Sequence, residues 1–131
     1  MGFAEVPHTA DVAIRAWGHT VDELLVAAAT GLFSLASGDG EPTPERELEV
    51  ASPDLESLLV DWLNELLYLS EVNREVYDSF SVTTEPEWHL RGSAKGRGLG
   101  SGYTKVKAVT YHGLSIRHEG DDYVATVVFD T

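Results

Sequence analysis

Apolar residues recur at helical spacing in two stretches of the chain. Leu24, Leu25, Ala28, Leu32 and Phe33 fall on one side of a 3.6-residue repeat and predict a first helix. Thr20-Val21-Asp22-Glu23 marks its start, because Thr20 and Glu23 can satisfy each other's backbone donors, and its end is expected near Gly38. The second helix carries a broader stripe: Leu55, Leu58, Leu59, Trp62, Leu63, Leu66 and Leu67. Ser52 is expected as its cap and Pro53 as its first residue, with Asp54 and Glu56 at the positive helix end. Asp61, Glu65 and Glu71 are left to a solvated face. A stripe this wide must be covered by a sheet or another helix.

Elsewhere the pattern changes to short apolar runs bounded by Pro, Gly or charged turns. "VAIRAW" (12–17), "ELEVAS" (47–52), "FSVTT" (80–84) and "HLRGSA" (89–94) read as strands. In the last quarter, "KVKAVTY", a tight His112-Gly113 turn, "LSIRH", the turn "EGDD" and "YVATVVF" predict a three-stranded antiparallel meander. Strands without regular βαβ alternation, plus two helices, predict an α+β fold. The expected architecture is a single-domain two-layer sandwich over residues 1–131, with the helices packed on a mostly antiparallel sheet.

Composition narrows the functions. The 131 residues include no cysteine, which removes disulfides, thiolate catalysis and cysteine metal sites. The first ten residues lack the charge pattern of a secretion signal, and no run of eighteen apolar residues occurs. A cytoplasmic location and no membrane are therefore expected. Acids outnumber bases 22 to 9, for a net charge of −13, and the bases form no stripe. Such a chain repels phosphate backbones, so direct nucleic-acid binding is not expected. An acidic surface suits a metal or a basic protein partner, or simply keeps the chain soluble.

Several motifs fall away on context. "KGRGLGSGY" (95–103) is not a phosphate cradle, since no helix N-terminus follows it, and it reads as a mobile surface loop. The histidines at 8, 19, 89, 112 and 118 form no dense metal spacing. Ser101 lacks the strand–turn–helix context of a nucleophile elbow. Catalytic residues are accordingly not assigned.

The acids say more. Asp11 begins its strand and Asp130 directly follows its own, so the two share a sheet rim if those strands run antiparallel. In the meander reading, Asp130 emerges at the sheet end that carries the His112-Gly113 turn. A parallel arrangement would separate the acids by roughly 20 Å. Two neighbouring carboxylates repel unless a cation or shared proton compensates, and oxygen ligands suit Ca²⁺, Mg²⁺ or Mn²⁺. The residues alone leave a second reading open, with Asp11 as a turn residue in "TAD" and Asp130 as a frayed end.

"HTADVAI", "LLVDWLNELLYL", "KAVTYHGL" and an Asp next to the last residue occur in that order along the chain. Together they resemble the archease family. The resemblance implies a small acidic protein that is not itself an enzyme. It would act as the protein cofactor of an RtcB-type RNA ligase in tRNA splicing and RNA repair, promoting ligase guanylylation with GTP and multiple turnover. It also implies a calcium-like ion held by Asp11 of "HTAD", by Asp130, and by Thr131 through main-chain oxygen, including its terminal carboxylate. The family commonly ends Asp-Ile, whereas this chain ends Asp-Thr; a backbone ligand should survive that change. Lys107 matches a family motif too, but is expected only to cover apolar surface with its stem. The alternatives are a stand-alone metal-dependent phosphoester hydrolase and an RNA or protein chaperone.

Overall fold

The computed structural model describes residues 1–6 and 12–131. Its elements run β1 (Gly2–Val6), β2 (Val12–Gly18), α1 (Val21–Phe33), β3 (Ala36–Ser37), β4 (Arg46–Ala51) and α2 (Leu55–Asn73), followed by β5 (Glu75–Glu85), β6 (His89–Gly98), β7 (Tyr103–Thr104), β8 (Ala108–Glu119) and β9 (Asp122–Asp130). The α+β class is as expected, with every strand pair antiparallel. The strands divide into a four-stranded sheet β1-β2-β9-β8, a three-stranded sheet β4-β6-β5 and a small β3-β7 pair. Both helices touch both larger sheets, so the apolar stripes are covered from two sides.

Local chemistry explains where the helices begin and end. The Thr20 hydroxyl accepts the Glu23 N–H at 3.1 Å, as the sequence predicts for α1. The helix stops at Phe33, short of Gly38, because the Ser34 hydroxyl turns back onto the Gly31 carbonyl at 2.6 Å and offers the backbone an alternative to another turn. Helix α2 is capped by Asp54, whose carboxylate accepts the Ser57 N–H at 2.7 Å. Ser52 cannot do this, since its N–H donates to the Trp88 carbonyl and its hydroxyl donates to Asp61. Pro53 therefore lies outside the helix.

Trp62 anchors the core. It is fully buried, its indole N–H donates to the Leu25 carbonyl at 2.9 Å, and its ring meets Phe80 edge-on. The α1–α2 contact thus carries both apolar area and a satisfied polar tip. A second buried cluster closes the end of α2: Arg46 pairs with Glu75 through two hydrogen bonds of 3.0 and 2.7 Å, and the Tyr77 hydroxyl donates to the same carboxylate. Those partners make the charged start of β5 compatible with burial. The strand consequently begins at Glu75, five residues before the "FSVTT" stretch.

Two expectations about the strands are corrected. β8 is one strand, not two: the "KAVTYHGLSIRH" segment passes through an irregularity between Thr110 and Ser115, with Gly113 at φ 74°. The left-handed residue makes a bulge in mid-strand rather than a reversal, so β8 and β9 form a hairpin and not a meander. The glycine run is likewise not a free loop. Residues up to Gly98 belong to β6, and a Cβ at Gly96 would fall 2.0 Å from the Val76 carbonyl oxygen. These glycines permit close backbone approach between strands.

Candidate metal rim

The rim is set by one strand pairing. In β2–β9, Val12 stands opposite Phe129, and the register holds through Gly18 opposite Tyr123. The start of β2 therefore lies at the sheet end where β9 finishes, which is the antiparallel condition for a shared rim. β1 ends there as well, with Val6 opposite Ala13, and β8 begins there, with Ala108 opposite Asp130. The His112-Gly113 segment is not at this end, because it sits in the β8 bulge.

Burial along β9 aims its last residues. Ala125, Val127 and Phe129 belong to the core cluster, so strand alternation sends Asp130 to the other face. Asp130 and Thr131 are exposed. The Asp130 carbonyl accepts the Lys107 N–H at 2.8 Å, which fixes the main chain beside the carboxylate. Asp11 lies outside the described residues, as does the rest of "PHTAD". Among the described residues, no three His, Cys, Asp or Glu side chains gather where they could hold a metal.

The donors that are described fit a hard cation. The Asp130 carboxylate makes no ion pair or side-chain hydrogen bond among the described residues. The available atoms are carboxylate and main-chain oxygens, the donor type that Ca²⁺ and Mg²⁺ prefer. Lys107, expected within a strand, precedes β8 and is exposed. Its backbone tie to Asp130 was not readable from its identity, because the bond depends on strand register.

Comparisons with known proteins identify the chain's relatives. A family model described as the Archease protein family (MTH1598/TM1083) matches residues 3–131. The chain belongs to the archease family. It is 37% identical to Protein archease of Methanopyrus kandleri, with 99% of each protein covered. It is 41% identical to Protein archease of Methanosarcina barkeri, covering 94% of this chain and 91% of that one. The solution structure of Methanobacterium thermoautotrophicum protein 1598 superposes with a TM-score of 0.81 at 32% identity, over 99% of both chains. The crystal structure of a Thermotoga maritima archease, described as a possible chaperone, gives 0.67 at 26% identity, over 96% of this chain and 94% of that one. The α+β architecture is thus the one seen in the archease structures.

Proposed function

We propose that this archease is a metal-binding protein cofactor that activates an RtcB-type RNA ligase, promoting ligase guanylylation with GTP and repeated turnover in tRNA splicing and RNA repair. Family membership supports the role, and the observation that carries the rim is the antiparallel β2–β9 pairing. Asp11, Asp130 and main-chain oxygen of Thr131 are the proposed ligands of a divalent ion, with Ca²⁺ the best fit to the family and Mg²⁺ or Mn²⁺ compatible with the donors. A bound divalent ion supplies stabilisation of negative charge on a transferring phosphorus centre.

The chain's own residues do the rest. Asp130 presents its carboxylate outward, and the Lys107 N–H holds its main chain in place. The excess of 22 acids over 9 bases draws the protein toward a basic ligase cleft and disfavours direct RNA binding. No nucleophile is assigned, so the protein acts as a non-catalytic activator. Among the described residues no helix is long and apolar enough to cross a membrane, and the proposed site of action is the cytoplasm.

The test is guanylylation of the ligase with labelled GTP, with and without wild-type, Asp11→Ala or Asp130→Ala protein. Wild type is expected to stimulate and both variants to fail. Equal stimulation by all three contradicts the rim, and no stimulation by wild type contradicts ligase activation. The description of the Thermotoga relative keeps a chaperone reading in view. That reading requires suppression of aggregation of an unrelated client without ligase present.

A further inference from the structure

Between the second half of α2 and the segment leading into β8 lies a cavity of about 500 Å³. Leu67, Glu71 and Arg74 line it from the helix side, and Leu99, Val106 and Lys107 line it from the other. It holds two of the nine Lys and Arg residues of a chain with 22 acids. Among the described residues, neither Arg74 nor Lys107 has a carboxylate at ion-pairing distance.

Arg74 adds an independent observation. It follows the last residue of α2 at φ 55°, a left-handed position where glycine is the ordinary choice. This conformation lets its carbonyl accept the Leu99 N–H at 2.7 Å, joining the two walls. Glycine would provide the same carbonyl without strain, so the backbone bond does not account for the arginine. A strained residue of this kind points to its side chain.

We propose that this cavity binds a phosphate group between the Arg74 guanidinium and the Lys107 ammonium. The planar guanidinium fork matches phosphate oxygens, and lysine supplies a compact charge from the facing wall. Leu67, Leu99 and the buried Val106 make part of the lining apolar, while Arg74 and Lys107 are exposed and reach a ligand from its solvent side. Glu71 is the one acid among the described lining residues and works against the anion. The site needs neither the ligase nor a rim cation, and therefore goes beyond the activator role. It adjoins the rim nonetheless, because Lys107 is the residue whose N–H binds the Asp130 carbonyl.

The experiment titrates the full chain with pyrophosphate, and separately with ATP, at constant ionic strength by calorimetry and amide NMR. Saturable binding with shifts at the Leu99 and Lys107 amides is expected. Arg74→Gly and Lys107→Gln should each weaken it about tenfold, the scale of one lost charged hydrogen bond. Glu71→Gln should tighten it. Arg74→Gly places glycine where the backbone favours it, so weaker binding in that variant is not a folding defect. Tighter binding of ATP than pyrophosphate assigns the phosphate to a nucleotide; equal binding assigns it to the oligophosphate alone. No saturable binding, or unchanged affinity in both cation variants, overturns the proposal.

Discussion

Val12 stands opposite Phe129 in the antiparallel β2–β9 pair, and Asp130 is the next residue along β9. The start of one strand and the finish of another thereby meet at one sheet end. With the strands parallel, the same two ends would be about 20 Å apart. The pairing brings the start of β2 to the same sheet end as Asp130, as the proposed cation site requires.

The first residues of β8 depend on Asn64 of α2. Its side-chain oxygen accepts the Val109 N–H at 3.0 Å, and its amide donates to the Val109 carbonyl at 3.4 Å. Asn64 thus satisfies an edge strand that would otherwise leave both groups without partners. Asn64→Leu is expected to cost about 1–3 kcal/mol. A lower urea midpoint with an unchanged slope checks this; an unchanged midpoint contradicts it.

The helix–helix contact is expected to tolerate little change at Trp62. Trp62→Ala removes a fully buried ring and should cost about 3–5 kcal/mol. Gly92→Ala should destabilise through the same ring, since its Cβ would lie 2.8 Å from Trp62 Cζ3. Thermal melts of both variants decide the matter. A wild-type melting temperature in either contradicts the packing described for it.

Acid stability should depend on Glu75. Hydrogen bonds from Arg46 first, with Tyr77 adding to them against the opposing effect of burial, hold its carboxyl below the usual carboxylate range. Burial first, and then the same carboxylate, pushes the Tyr77 hydroxyl upward. A depressed folded-state value means that this stabilisation is present above the unfolded glutamate value of about 4.3. It is lost as pH falls through the lower folded value. Melting temperature against pH should therefore show a shallower acid limb in Glu75→Gln than in wild type. Parallel curves would contradict the assignment.

The sequence shows the elements whose signals are local. Thr20 and Glu23 mark the start of α1, and the leucine stripe with Trp62 marks α2, because capping and periodicity lie within a few residues. Signals that depend on distant partners were not legible. The start of β5 at Glu75 carries a charge, and its burial depends on Arg46 arriving from β4. Gly113 looks like a hairpin turn, but β9 continues past it as a neighbour and leaves only a bulge. Ser52 looks like a cap until Asp61 and Trp88 occupy its hydroxyl and N–H. For the candidate site, the order of the strands pointed to Asp11 and Asp130, the family resemblance added Thr131, and register supplied the tie of Asp130 to Lys107. Asp11 lies outside the described residues, and its role as a ligand, like that of Thr131, is proposed from the family resemblance.

Whether Asp11, Asp130 and Thr131 together hold one cation is decided by calcium titration of the isolated protein, followed by calorimetry. Wild type should bind one ion saturably, Asp11→Asn and Asp130→Asn should each abolish most of the affinity, and the double variant should be no worse than the weaker single one. Wild-type affinity in either single variant, or no saturable binding in wild type, would contradict the claim.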